Sequence, residues 1–450
     1  MNSSTNRYLI KNGRLIDPAN KIDGEFDILI AGSKVESVGK GLKNNNAEVV
    51  DAKGKIVAPG LVDMHVHLRE PGREDKETIE TGTLAAIRGG ITSVAAMPNL
   101  EPQAVDSAGM VKRVNDIAKA KARANVFVIG AITRNREGKE LADIKGMKRH
   151  GAVAVSDDGA SVQDERLLSA ALKEAKKNSI LVISHCDDRR ISGQGVINEG
   201  FIATKLGLRG IPKSAEYEFV RRDIELAKKT GASLHIAHVS CKESCDIIRA
   251  AKRSHLAITA ETAPHYFTLT EECCVTYDTN TKMNPPLRTK DDVAAIKKAL
   301  ADGVIDAIAS DHAPHSLHDK DIEFDKAAFG IIGLETSLGL AAAELIGNKT
   351  LGWAGLIARM SSNPAKILGI KRGGLGKGAT ADIVIIDPDK EWIYEGASIA
   401  SKSKNSPFIG WKLKGRVTEV FVNGTPHPPL SPKGRGEGEG KFLGASLCHT

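Results

Sequence analysis

The chain has 450 residues, 41% hydrophobic and 26% charged, which excludes a disordered chain and suits one large α/β barrel with a smaller attached unit. Its net charge of +7 is mild, Lys and Arg are interleaved with Asp and Glu, and aromatics make up only 4%, so no nucleic-acid partner is expected. The N-terminus, MNSSTNRYLIKNG, lacks the apolar centre of a signal peptide, and no apolar run approaches the roughly 18 residues of a membrane span; the expected place is the cytoplasm, with no membrane partner.

Residues 7–58 read as short strands: Arg7 to Ile16, Asp27 to Ile30, Lys34 to Val38, Glu48 to Asp51 and Lys55 to Ala58. Ala31-Gly32-Ser33-Lys34 reads as a hairpin turn. Half-apolar strands need a facing sheet. Ala381 to Ile386, Glu391 to Tyr394 and Val417 to Asn423 have the same character and are expected to supply it. The two chain ends are thus predicted to form one small β-sandwich domain, from 1–59 and 366–430. Residues 431–450 are Gly-rich, polar and without periodicity, and read as a disordered tail.

Between the two parts, residues 60–365 alternate strand and helix. Strands are predicted at 61–67, 91–97, 125–131, 152–156, 180–185, 233–239, 256–260 and 304–310. Helical periodicity follows at 76–88, 104–120, 139–149, 164–177, 214–229, 242–253, 291–300 and 335–346. Eight such repeats predict a (β/α)8 TIM-type barrel. A doubly wound sheet would more often carry a Gly-rich dinucleotide turn after its first strand, and Gly82, Gly89 and Gly90 do not form one.

A barrel builds its active site at the C-terminal ends of its strands. The first strand ends in His65 and His67, which alternation places on one face as a chelating pair. Arg69 follows at the same parity, and a guanidinium beside a metal pair suggests a substrate carboxylate held bidentately. The fourth strand ends in Asp157 and Asp158, the fifth at His185, the sixth near His238 and the eighth at Asp311. That set is too large for one four-coordinate zinc and suits two metals with a shared ligand. One would take His65, His67 and Asp311, the other His185 and His238, with a fourth-strand carboxylate as bridge; alternation does not choose between Asp157 and Asp158. Two metals acidify a shared water to hydroxide near neutral pH, which predicts metal-assisted hydrolysis of an unactivated carbonyl or its reverse.

His315, four residues past Asp311 in a loop over the site, is expected to serve as a ligand or a substrate contact. His235 lies an odd number of residues from His238 and should face the helices. His150, His255, His265, His312, His318, His427 and His449 read as packing, surface or tail residues. The six cysteines, Cys186, Cys241, Cys245, Cys273, Cys274 and Cys448, form no C-x-x-C pair and read as reduced thiols.

The segments HVHLREPG at 65–72, MPN at 97–99, SDDG at 156–159, SHCDD at 184–188, ETAPHYF at 261–267, MNPPLR at 283–288, SDHAPH at 310–315 and FGIIGLET at 329–336 resemble the bacterial type I dihydroorotases of the amidohydrolase superfamily. The resemblance runs over about residues 7–425, in family order. It implies reversible cyclisation of N-carbamoyl-L-aspartate to dihydroorotate in pyrimidine biosynthesis, with a zinc-bound hydroxide and two Zn2+ per subunit, the second held more weakly. It implies zinc ligands His65, His67, Asp158, His185, His238 and Asp311, with Asp158 as bridge and Asp311 also as general acid/base. Substrate contacts are implied for His67, Arg69, Asn99, Asn284, His315 and the backbone around Phe329 and Gly330, and the loop from His315 to Gly330 is expected to close over substrate. The resemblance leaves room for a homodimer and for association with aspartate transcarbamoylase. Related hydantoinases and allantoinases share parts of the pattern but usually bridge their metals with a carboxylated fourth-strand lysine; here no lysine follows the SDDG turn until Lys173. A catalytically silent scaffold of this family would lack ligand histidines, and this chain keeps them.

Overall fold

The computed structural model describes residues 6–43 and 46–427. Eight parallel strands run in chain order around one sheet: Leu61–Val66, Ile91–Ala96, Asn125–Gly130, Ala152–Ser156, Leu181–Ser184, Leu234–Ile236, Ile258–Thr262 and Ala307–Ile308. They are called the first to eighth barrel strands below. The seam between first and eighth is closed past the last strand's end. Val66 forms a parallel bridge to His312, and the His67 N–H donates to the His312 carbonyl at 2.9 Å. Asp63 accepts the N–H of Ser310 at 3.1 Å across the same seam. The barrel is therefore tied shut beside the predicted ligands.

The helices follow from spacing and caps. Glu165–Lys177 buries Leu168, Ala171, Leu172 and Ala175, a single stripe at intervals of three and four, and Asp164 caps its first turn. Full burial of one such leucine contributes about 1.5–3 kcal/mol. Ile79–Arg88 opens with a reciprocal Thr78–Thr81 capping box. The eighth helix begins as Ser337–Ala341 and widens into a π-turn over Ala342–Gly347. Among the described residues no helix is long and apolar enough to cross a membrane.

The chain ends form two further sheets. One has the order Lys34–Gly39, Asp27–Ala31, Arg7–Lys11, Glu48–Asp51. The other has the order Thr425–His427, Lys412–Val422, Ile383–Ile393, Ile56–Pro59, Arg14–Asp17, Ile22–Glu25. Ile383 lies opposite Pro59, so the late strands pair directly with the early ones. Leu15, Ile28, Ile30, Val57, Ile383 and Phe421 fill the space between the sheets. The molecule is thus a (β/α)8 barrel with a small β-sandwich built from both chain ends.

Local readings needed correction. The single strand expected from Arg7 to Ile16 is two, because Asn12 takes a left-handed backbone (φ 64°) and the chain changes sheet there. The strands expected at 381–386 and 391–394 are one irregular strand, Ile383–Ile393. Ile22–Glu25 and Thr425–His427 are edge strands too short and polar to announce themselves. Among the described residues Cys186, Cys241, Cys245, Cys273 and Cys274 are buried, the first three as free thiols. Cys448, His449 and the expected tail at 431–450 lie outside the described residues.

Candidate metal centre and active site

Asp158 lies at the middle of the strand-end cluster. Its Oδ1 is 3.3 Å from His65 Nε2, 3.4 Å from His185 Nδ1 and 3.5 Å from His238 Nε2, and its Oδ2 is 3.6 Å from His67 Nε2. Asp311 Oδ1 is 3.2 Å from His67 Nε2 and 3.4 Å from His65 Nε2. His185 Nδ1 and His238 Nε2 are 2.6 Å apart. Ligands at 2.0–2.1 Å around a tetrahedral ion sit about 3.3 Å from one another, so most of these separations are the edges of a coordination shell. Among the described residues, two sets of donor atoms are close enough to share an ion: His65 with His67 and Asp311, and His65 with Asp158 and His238. The first is the set expected from the strand ends. In the second, His185 joins through its contacts with Asp158 and His238. Asp157 is spent elsewhere, accepting the backbone N–H groups of Ile132 at 2.8 Å and Thr133 at 3.1 Å, and the Thr133 hydroxyl.

The donor chemistry fits a cation. His65 Nε2 and Asp158 Oδ1 are buried without a hydrogen-bond partner among the described residues, an arrangement costly without a ligand. Burial works against charge on Asp158 and Asp311, yet the surrounding histidines hold both carboxyls below the usual carboxylate range. Burial likewise opposes charge on His65, but Asp158 and Asp311 raise it well above an ordinary histidine.

Supporting contacts fix the rings. His65 Nδ1 meets Glu261 Oε1 at 2.7 Å, and His67 Nδ1 meets Asn99 Oδ1 at 2.7 Å, so each ring directs Nε2 into the cluster. Burial pushes the Glu261 carboxyl up, but His235 and His65 draw it down to about 2. His235 is a correction. It does not face the helices: its Nδ1 bonds Thr259 Oγ1 at 2.7 Å and its Nε2 lies 3.4 Å from Glu261 Oε2, inside the barrel beneath the site. The sixth strand ends at Ile236, and His238 takes a left-handed backbone (φ 33°), which resets the alternation. Arg69 (φ 60°) and Asp311 (φ 48°) share that conformation, which costs about 1–3 kcal/mol at each non-glycine residue.

Around the mouth, Arg69 Nε donates to the Pro314 carbonyl at 3.2 Å, while its two terminal nitrogens have no hydrogen-bond partner among the described residues. Burial lowers it to about 10. His315 Nε2 donates to the Phe329 carbonyl at 2.8 Å, its Nδ1 is buried without a partner, and burial beside Arg69, Lys76 and Lys320 lowers it to about 2. It is therefore neutral, and it can donate to a carboxylate at Nδ1 only by gaining a proton. Gly330 spends its N–H on the Lys282 carbonyl at 2.9 Å and its carbonyl on Lys320 Nζ at 3.0 Å, which leaves the Phe329 N–H as the free backbone donor of that pair among the described residues. Asn284 makes no side-chain hydrogen bond among the described residues. His265 packs on Tyr266 and is lowered to about 4 by burial. His312 is buried between Glu77 and the Gly333 N–H, while His150, His255 and His318 are exposed.

A family model described as Dihydro-orotase-like matches residues 54–244. A dihydroorotase of Elusimicrobium minutum is 53% identical over 418 residues, spanning 93% of this chain and 96% of the relative. One of Geotalea daltonii is 52% identical over 416 residues, spanning 92% and 97%. The chain belongs to the dihydroorotase family. Among solved structures, an L-hydantoinase (dihydropyrimidinase) of Arthrobacter aurescens superposes with a TM-score of 0.85 at 25% identity, over 94% of this chain and 96% of that one. Both groups of relatives are cyclic-amide hydrolases, and this dihydroorotase-family chain is an enzyme of that class. The family is metal-dependent, and the chain carries the ligand groups described above. Glu261 escaped the sequence reading, although it closes the seventh strand as the other site residues close theirs.

Proposed function

We propose that this chain catalyses the reversible interconversion of N-carbamoyl-L-aspartate and dihydroorotate, as a bacterial type I dihydroorotase with two zinc ions per chain. The observation that carries the reading is Arg69. A hydantoin or dihydrouracil ring offers a guanidinium fork no carboxylate, whereas dihydroorotate does, and the terminal nitrogens of Arg69 are uncommitted beside the histidine–aspartate cluster.

In this reading His65, His67, Asp158, His185, His238 and Asp311 would hold the ions, Asp158 serving as the shared ligand. Bound there, zinc supplies Lewis acidity to the amide carbonyl and makes water a nucleophile near neutral pH. In ring opening, Asp311 takes a proton from the attacking water and gives it to the leaving ring nitrogen as the C–N bond breaks. One carboxylate serves both steps because they are consecutive, and closure retraces the path. Arg69 grips the carboxylate, Asn99 assists while holding His67, and Asn284 and the Phe329 N–H meet the ring. A bound carboxylate also favours protonation of His315, which then donates from both nitrogens. Gly330 gives shape more than hydrogen bonds: at φ 119°, a Cβ there would lie 2.6 Å from Ala313 Cβ. The small β-domain takes residues 1–59 and 366–430, and the barrel 60–365. The same reading places the enzyme in the cytoplasm, and size-exclusion chromatography with and without aspartate transcarbamoylase tests for a homodimer and for a complex with that enzyme.

The test of substrate class is the rate on dihydroorotate against that on dihydrouracil, the same ring without the carboxylate. Preference for dihydroorotate supports the reading. Preference for the uncharged ring moves the chain to the hydantoinase-like activity.

A further inference from the structure

The loops that carry His315, Phe329 and Gly330 are tied together by a residue from the far end of the chain. Residues 401–405 leave the β-domain and run along the barrel mouth. The Ser401 hydroxyl donates to Glu77, the Lys402 N–H donates to Glu77 Oε1 at 3.1 Å, and the Ser403 hydroxyl donates to the Lys76 carbonyl at 2.6 Å. Asn405 ends this strap and is 5% exposed. Its Oδ1 accepts the His315 N–H at 3.1 Å. Its Nδ2 donates to the Ala313 carbonyl at 3.0 Å and to the Gly330 carbonyl at 3.1 Å. Its own carbonyl accepts the Ile332 N–H at 3.0 Å.

One buried amide thus joins the turn after the eighth strand to the segment Gly330–Ile332. The position calls for one acceptor and two donors at fixed spacing, which asparagine offers and aspartate does not. A carboxylate there would face two carbonyl oxygens. Lys320, also 5% exposed, anchors the same segment from the other side, donating to the carbonyls of Ala328 at 2.8 Å and Gly330 at 3.0 Å. The imidazole of His315 and the backbone at Phe329 therefore have their separation set by contacts made behind them.

We infer that Asn405 is a positioning residue for substrate binding: it holds the His315 loop and the Phe329–Gly330 backbone at the spacing in which they receive the ring and its carboxylate. The inference rests on the proposed role of those groups as substrate contacts. It makes the C-terminal segment part of the active site, although that segment contributes no atom to the ligand cluster.

The test uses the full, metal-loaded chain and steady-state kinetics on whichever cyclic amide the wild type turns over best. Asn405→Asp and Asn405→Ala are compared with Ser403→Ala, which loosens the strap without touching the two loops. Both Asn405 variants are expected to raise KM by about ten- to a hundredfold, the cost of a small misplacement of binding groups, with kcat within about twofold and metal content unchanged. Ser403→Ala is expected to lower Tm and leave KM unchanged. If the alanine variant does not fold, the isosteric Asn405→Asp decides. Unchanged KM in the Asn405 variants overturns the inference, as does an equal rise in Ser403→Ala or a loss confined to kcat. A wild type that ignores dihydroorotate would overturn the functional reading instead, and the KM comparison would still be read on the amide it accepts.

Discussion

Glu261 gives His65 two things, a hydrogen-bond acceptor at Nδ1 and a negative charge behind the ring, and substitution can separate them. The contact is 2.7 Å long and fully buried, with His235 on the other carboxylate oxygen at 3.4 Å. Glu261→Gln keeps an acceptor for His65, and its amide can donate to His235 Nε2 if His235 carries its proton on the nitrogen facing Thr259. Only the charge is lost. Glu261→Ala loses both and leaves His65 Nδ1 and His235 Nε2 buried with nothing to face. A hydrogen bond to a charged group is worth about 1.5–3 kcal/mol and a neutral one about 0.5–1.5, so the glutamine should weaken metal binding about tenfold. The alanine should approach about a hundredfold, the upper end for lost partners of metal-binding histidines. Competition with a chelator, followed by metal analysis of the recovered protein, reads both affinities. Retention of wild-type affinity in Glu261→Ala, or a larger loss in the glutamine than in the alanine, would refute the argument that Glu261 sets the His65 ring for metal.

Asp311→Asn keeps the size and loses the basicity, and should lower kcat by about 10²–10⁴, more if metal leaves with it; stopped assays with parallel metal analysis separate the two. Arg69→Ala should raise KM for dihydroorotate about ten- to a hundredfold and hardly change turnover of dihydrouracil; equal damage to both would remove its role as carboxylate clamp. Stability should also depend on pH through half-buried Glu335, whose carboxyl burial raises to about 7 although it accepts the Ala400 N–H. Since its folded pKa lies above the unfolded value, the folded chain binds more protons between about 4.5 and 7, and stability from this group falls as pH rises through that window. The Tm gain of Glu335→Gln over wild type should therefore be larger at pH 8 than at pH 5, and a gain independent of pH would contradict the assignment.

The barrel was legible because its strands are short apolar runs at regular intervals, and its eight predicted positions lie within a few residues of those observed. Strand alternation placed His65 and His67 together, and the position of Asp311 at the end of the eighth strand put it beside them. Alternation failed at His235, because the left-handed backbone of His238 just past the strand end breaks the alternation between the two, and no residue type in HIAHVS marks that turn. It could not separate Asp157 from Asp158; the backbone N–H groups of Ile132 and Thr133, on another loop, take the first and leave the second to the centre. Buried Lys320 and Asn405 hold the far end of the loop from His315 to Gly330. Asn405 lies 90 positions from His315, and local pattern carries no trace of that contact.

The central claim is that this cluster works as a metal centre on a carboxylate-bearing cyclic amide. The direct measurement is turnover of N-carbamoyl-aspartate and of dihydroorotate by the full chain as purified, after exhaustive chelation, and after zinc is restored. The account predicts interconversion in both directions, lost with the metal and recovered with zinc. Turnover that survives complete metal removal, or a zinc-restored chain that converts neither compound, would contradict it.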